Sequence, residues 1–298
     1  MYNYVIHLTV RGIIPMNITK KKSILILYTV LAFVLAFMLT VWRTMLLKQY
    51  YDPYDGTFDV GSGKIFVTFE YLLLLSVIIL GTGTFFAKKI SFSPIGKRYS
   101  TASLAVCVTC GIILISIGLI SLLAFADELF FIDRINTFAT KIGTLISFLM
   151  IFLVGAYFFM GASSRYKDKQ IKYVFSFIIP IFAIFCIIAS YFNVDFVYND
   201  FNRITCHISI LSIMFFALSE SKLMIGKDGY AFNFISSLIA IVCISSYIFP
   251  LITLAAFGKV NFEFVLFFES YQIAFFIYAV ASAISALRSL CAAPEKVK

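Results

Sequence analysis

The sequence predicts an all-α fold: a polytopic transmembrane helical bundle of eight spans with both termini in the cytoplasm. Three observations predict it, namely the composition, a series of long apolar runs, and the side on which the basic residues between the runs fall. A run of about 20 apolar residues matches the roughly 30 Å hydrocarbon core of a bilayer. Such runs recur here from one end of the chain to the other, so a membrane location is expected.

The composition excludes an ordinary water-soluble domain. Apolar residues make up 61% of the chain and charged residues only 13%, against about 45–50% and about 25% in soluble proteins. The net charge of +9 would suit a nucleic-acid surface if it formed a basic stripe on one folded face. The Lys and Arg residues lie instead in short segments between apolar runs, so the bilayer, and no nucleic acid, is the expected partner.

Eight apolar runs, each bounded by charge or turn residues, are the predicted spans. In the seventh run Pro250 predicts a tilt or a kink, because proline has no backbone N–H to donate inside a helix. The predicted spans cover 23–42, 65–86, 100–125, 139–161, 171–192, 201–218, 230–257 and 262–287.

The basic residues predict the orientation. Most of the 24 Lys and Arg residues fall on one side when the segments between the runs are counted alternately, and the positive-inside rule assigns that side to the cytoplasm. Both termini then lie in the cytoplasm, which requires an even number of spans.

The chain divides into one transmembrane domain, 23–288, with cytoplasmic tails at 1–22 and 289–298. The first apolar run lacks the small-residue exit of a cleavable signal peptide, so it is expected to remain as a span. Residues before Met16 look unlike the rest of the chain, and Met16 is the more natural start.

Cofactor and enzyme motifs are not found. Cys107 and Cys110 form a C-x-x-C inside an apolar run, without the second pair that a zinc site needs. The two histidines, His7 and His207, cannot form the H-E-x-x-H of a zinc peptidase. The acidic segment 52–59 does not have the alternating spacing of a calcium loop. We therefore predict no metal and no cofactor, and catalysis is the less favoured class of function.

Two carboxylates inside the spans are the first candidates for a site. Glu70 lies near the start of the second run, about 7 Å into the bilayer, and Glu269 lies roughly 10 Å into the eighth. Both runs are predicted to enter from the outside, so both acids should lie in the outer leaflet. Ionisable residues at this depth are costly and usually functional.

Four further polar residues are predicted to lie on the same side of the membrane. Arg203 and His207 are spaced i, i+4, while Glu269 and Gln272 are spaced i, i+3, so each pair shares a helical face. With Arg43 and Glu70, they could line an outward-facing polar pocket that binds a ligand. The alternative is structural: Glu70 with Arg203, or Glu269 with Arg43, would form ion pairs that lock helices together.

A segment after the first run resembles a known group of proteins. Arg43 closes the run, and Asp52-Pro53 and Gly56-Thr57-Phe58 follow before the second. Together with the general span layout, this resembles uncharacterised multi-span membrane proteins of low-GC Gram-positive anaerobes. The resemblance implies a multi-span architecture and a bacterial plasma membrane, and it implies no activity.

Three functional hypotheses follow. The leading one is a transporter or permease-type protein, or the membrane component of one, because a buried acid that binds and releases a proton is a physical route to coupled transport. The second is a non-catalytic membrane sensor or complex subunit that binds a ligand or a partner helix in the same pocket. The third is a membrane enzyme that modifies lipid, with Glu269 or His207 as general base.

Overall fold

A computed structural model describes most of the chain. The described residues are 18–52, 57–58, 63–87, 101–130, 138–162, 177–192, 201–224, 230–258 and 269–291. The predicted tails, including the question of a start at Met16, therefore lie almost wholly outside the described residues, and so does the turn at 53–56.

The predicted all-α fold is confirmed, with eight helices in the described chain. In order they are α1 (Ile18–Tyr50), α2 (Gly63–Ala87), α3 (Thr101–Phe130), α4 (Phe138–Ala162), α5 (Ile178–Phe192), α6 (Phe201–Met224), α7 (Tyr230–Ala256) and α8 (Tyr271–Cys291). The other regular structure is a two-residue antiparallel ladder after α1, in which β1 (Tyr51–Asp52) pairs with β2 (Thr57–Phe58).

Six of these helices are long and apolar enough to cross a bilayer: α1, α2, α3, α6, α7 and α8. In α4 and α5 the apolar stretches found among the described residues, Phe148–Met160 and Ile178–Ile188, are shorter. The chain is therefore a multi-pass integral membrane protein. Many large apolar side chains, such as Leu27, Phe37 and Phe85, are exposed on the outer faces of the helices, as expected where lipid tails are the solvent.

Helix α7 forms the centre of the bundle. It packs against α1, α2, α6 and α8, and nearly all of its side chains are buried. A second group of helices lies to one side, where α3 packs against α4 and α8 while α5 packs against α4 and α6. A helix that is apolar all round and carries small polar residues suits such a central position, because its Ser residues can bond to their own backbone.

Among the helix ends that differ from the predicted spans, three change the setting of charged residues. Helix α1 continues to Tyr50, because the segment after Arg43 contains no helix breaker and buries Leu46 and Leu47. Helix α6 continues to Met224, so Glu220 lies in a helix and not in a loop. Helix α8 begins only at Tyr271, so Glu269 lies just ahead of its first turn and not two turns inside it.

Close helix packing is visible at Gly83 in α2. A Cβ atom at this position would lie 2.7 Å from Ile235 Cδ1 in α7 and 3.1 Å from the ring of Tyr28 in α1. Gly81, two residues earlier, faces open space. Small residues let helix backbones approach in membranes, and Gly83 provides that approach where α1, α2 and α7 meet.

Candidate functional site

The candidate site lies where Pro250 interrupts the backbone hydrogen bonds of α7. Because proline has no N–H, the carbonyl four residues earlier, that of Ser246, loses its helical hydrogen bond. Arg43 of α1 supplies the missing donor, with Nη1 3.2 Å from the Ser246 oxygen. Ser246 lies roughly 15 Å along the axis from the end of α7. A guanidinium therefore stabilises the interrupted helix at membrane depth.

Arg43 is held from several sides and is only 2% exposed. Its Nη2 donates a short hydrogen bond to the side-chain oxygen of Asn202 in α6. The guanidinium carbon also lies 5.0 Å from the centroid of the Tyr247 ring and 5.9 Å from that of Phe69, which adds cation–π attraction. Helices α1, α2, α6 and α7 therefore meet around one buried cation.

Glu269 occupies the turn that leads into α8, where the N–H of Ile273 donates to the carbonyl of Ser270 at 3.0 Å. The carboxylate is 6% exposed and accepts a hydrogen bond of 2.8 Å from Gln272 Nε2. The amide oxygen of Gln272 in turn accepts from Ser209 Oγ of α6 at 2.6 Å. A carboxylate at a helix N-terminus is also favoured by the helix dipole.

Two further groups close around the Glu269 carboxylate. The thiol of Cys206 in α6 lies 3.7 and 3.8 Å from its two oxygens, and the Tyr247 hydroxyl of α7 lies beside it. Arg43 is near enough for its charge to act on the carboxylate. The residues that meet here, called the charged cluster below, are Arg43, Asn202, Cys206, Ser209, Tyr247, Glu269 and Gln272.

Glu70 lies at the edge of the charged cluster. Its carboxyl is within electrostatic reach of Arg43. Its Oε1 atom is buried and makes no hydrogen bond within the described part of the chain. The structure thus brings Glu70, Arg43, Glu269 and Gln272 into one region of the bundle, where the charge of Arg43 acts on both acids.

Arg203 and His207 lie on a neighbouring face of α6. Arg203 directly follows Asn202, and His207 directly follows Cys206. One position along a helix corresponds to a rotation of about 100° around its axis. Arg203 is buried and His207 is half-buried, and the charge of Arg203 acts on the His207 ring. On α6, Glu269 contacts Cys206, a residue that the sequence did not point to.

Several members of the charged cluster carry no strong signal in the sequence. Asn202, Cys206 and Ser209 follow the i, i+4, i+7 spacing of one helical face, and this spacing could have pointed to them. Tyr247 could not have been found in this way, because its role depends on which helices are neighbours in space. Within the described residues, no group of three or more His, Cys, Asp or Glu side chains could hold a metal ion.

Comparison with known proteins adds no family. The chain matches no family model, no curated protein and no solved structure. Its function has to be argued from the charged cluster and from the helices that build it.

Proposed function

We propose that the protein is a transporter or permease-type membrane protein in which Glu269 binds and releases a coupling proton. One observation carries this proposal: a carboxylate 6% exposed is held by donors from α6 and α8, within electrostatic reach of a buried arginine. Ionisable groups that face the interior of a membrane bundle commonly mark ion or substrate pathways.

The backbone around the charged cluster supports the same proposal. Transporters often place their sites where helices are interrupted, and here Arg43 bonds to the carbonyl that Pro250 leaves without a helical donor. Such points can act as hinges, because they absorb changes in backbone angle. The cluster is closed, with Gln272 0% exposed. Access from either side would therefore require helix movement, as alternating access does.

In this proposal Arg43 is the fixed counter-charge. The ionised form of Glu269 is stabilised by the nearby guanidinium and by its hydrogen-bond donors, while the protonated form removes a buried negative charge. The small free-energy difference between such states can be tipped by a substrate or by helix movement. Outward exposure, a plasma-membrane location and a role for Glu70 in admitting the proton are parts of the proposal.

The test is a set of isosteric variants that change charge and little else. A strain lacking the gene would be complemented with the wild type or with Glu269→Gln, and its growth and small-molecule content compared at matched protein abundance. The proposal predicts that Glu269→Gln is present at normal abundance and fails to complement. Complementation equal to the wild type would contradict it.

The same variants separate the proposal from a purely structural ion lock. A lock predicts that Glu269→Gln lowers abundance and thermal stability in detergent, with any loss of function in proportion. A lipid-modifying enzyme would need an acid or imidazole that reaches lipid, and the burial of Glu269 does not favour it. A sensor or complex subunit would instead show loss of a partner or signal with unchanged small-molecule content.

A further inference from the structure

A second polar cluster, half-buried at Glu220 and Tyr278, lies near the end of α6 and the start of α7. The Tyr278 hydroxyl of α8 donates to Glu220 Oε2 of α6 at 2.8 Å, and Asn233 of α7 lies beside this carboxyl. From α3, the Cys107 thiol is near enough to feel the charge of Glu220. A carboxyl group is thus surrounded by hydroxyl, amide and thiol groups from four helices.

Small polar residues extend this cluster. Asn233 Nδ2 donates to Ser219 Oγ at 3.0 Å, and Ser282 Oγ donates to Asn233 Oδ1 at 3.2 Å. The Ser219 and Ser236 hydroxyls are 2.8 Å apart. The residues of this hydroxyl cluster are Ser219, Glu220, Asn233, Ser236, Tyr278 and Ser282.

An aromatic layer separates the two clusters. The ring of Phe158 lies 4.9 Å from that of Tyr278 and 6.0 Å from that of Phe275, while Phe216 lies 5.7 Å from Tyr278. The three phenylalanines are almost fully buried. Along α6 Phe216 falls between Ser209 and Ser219, and along α8 Phe275 falls between Gln272 and Tyr278.

Along both α6 and α8 the charged cluster therefore comes first, the aromatic layer second and the hydroxyl cluster third. An apolar constriction between polar sites is a common form of gate, because ions and water do not cross it until it opens. Ser212 lies between Ser209 and Phe216 along α6, and its hydroxyl donates to the Ser209 carbonyl at 2.6 Å. It therefore extends the charged cluster toward the aromatic layer.

We propose that Glu220 is a second proton-binding site, on the side of the aromatic layer opposite to Glu269, and that the transported proton occupies it. This inference rests on the proposed function. Binding forms one O–H bond on the Glu220 carboxyl, and release returns that proton to water at the end of the bundle where α6 finishes. No other reactant is consumed.

The first experiment adds Glu220→Gln to the complementation series. Glutamine keeps an oxygen that can accept from Tyr278 but cannot carry the proton. The expected result is normal abundance, wild-type thermal stability in detergent and loss of complementation, as for Glu269→Gln. Lys222→Gln, at an exposed position one half-turn further along α6, is the matched control and should complement.

The outcomes distinguish the two proposals. If Glu269→Gln fails while Glu220→Gln complements, the second site is overturned and the proposed function stands. If both complement, both proposals fall. Low abundance or low stability of Glu220→Gln would assign Glu220 a structural role and would also overturn the inference.

A second measurement tests the aromatic layer without any substrate. Purified protein would be reconstituted into liposomes that contain a pH-sensitive dye, with a potassium gradient and valinomycin to draw protons inward. We expect Phe216→Ala to raise proton entry several-fold over the wild type, and Phe216→Ala with Glu220→Gln to return it to the wild-type rate. Equal proton entry in Phe216→Ala and in the double variant would contradict a proton site at Glu220. The proposal would also be contradicted if neither Phe216→Ala nor a stable Phe216→Leu variant raised proton entry.

Discussion

The charged cluster and the hydroxyl cluster share helices α6, α7 and α8 but are held together differently. In the first, a buried guanidinium bonds to an interrupted helix and acts on a carboxylate. In the second, Ser, Asn and Tyr side chains share hydrogen bonds around Glu220, and Gly83 lets α2 approach α7 near that end. Stability at one end therefore depends on a compensated charge, and at the other on close packing and neutral hydrogen bonds.

The largest effect should come from Arg43→Ala. Removal of the guanidinium leaves the buried Ser246 carbonyl and the buried Asn202 side-chain oxygen without their donor, and each buried acceptor left unsatisfied costs about 1–3 kcal/mol. We expect a large loss of folded protein on size-exclusion chromatography in detergent. Lys48→Ala, an exposed position on the same helix, is the control, and equal yields of the two variants would contradict the assigned role of Arg43.

A smaller effect is expected from Gly83→Leu. The added side chain would meet Ile235 and Tyr28 at distances that neither can keep, and overpacking of this kind costs about 1–3 kcal/mol. Thermal unfolding in detergent should shift downward. Gly81→Leu offers a matched control with open space around the glycine, so similar shifts in the two variants would show that α2 does not pack as described.

The smallest stability effect should come from Asn233→Ala in the hydroxyl cluster. Interhelical hydrogen bonds in membranes contribute about 0.6 kcal/mol each on average, so loss of the bonds to Ser219 and Ser282 should cost about 1 kcal/mol. Ser237→Ala, which removes a hydroxyl bonded to its own helix, serves as the comparison. A loss as large as that of Arg43→Ala would mean that the hydroxyl cluster also depends on a compensated charge.

The two clusters also differ in how far the sequence could predict them. The lengths of the apolar runs predicted all eight helices, because a segment long enough to span hydrocarbon can be recognised in the sequence itself. The charges of Arg43 and Glu269 stand out within apolar runs, and the spacing of Glu269 and Gln272 places them side by side. Which arginine approaches which acid depends on the spatial order of the helices, so the sequence could offer the pairs Glu269 with Arg43 and Glu70 with Arg203 only as alternatives.

The hydroxyl cluster gave no comparable signal. Glu220 follows the sixth apolar run in the sequence. It belongs to α6 because the helix continues beyond that run to Met224. Serine and asparagine are ordinary residues in membrane helices, where serine commonly bonds to its own backbone. The meeting of Ser219, Asn233 and Ser282 depends on the packing of α6, α7 and α8 around each other.

The central claim, that Glu269 is a working proton site, is tested most directly by infrared difference spectroscopy of the reconstituted protein. Acidification should produce the carbonyl-stretch band of a protonated carboxylic acid. The account predicts that one component of this band is absent in Glu269→Gln and displaced in Arg43→Lys, which keeps the charge and changes its geometry. A Glu269→Gln spectrum identical to that of the wild type at every pH would contradict the account.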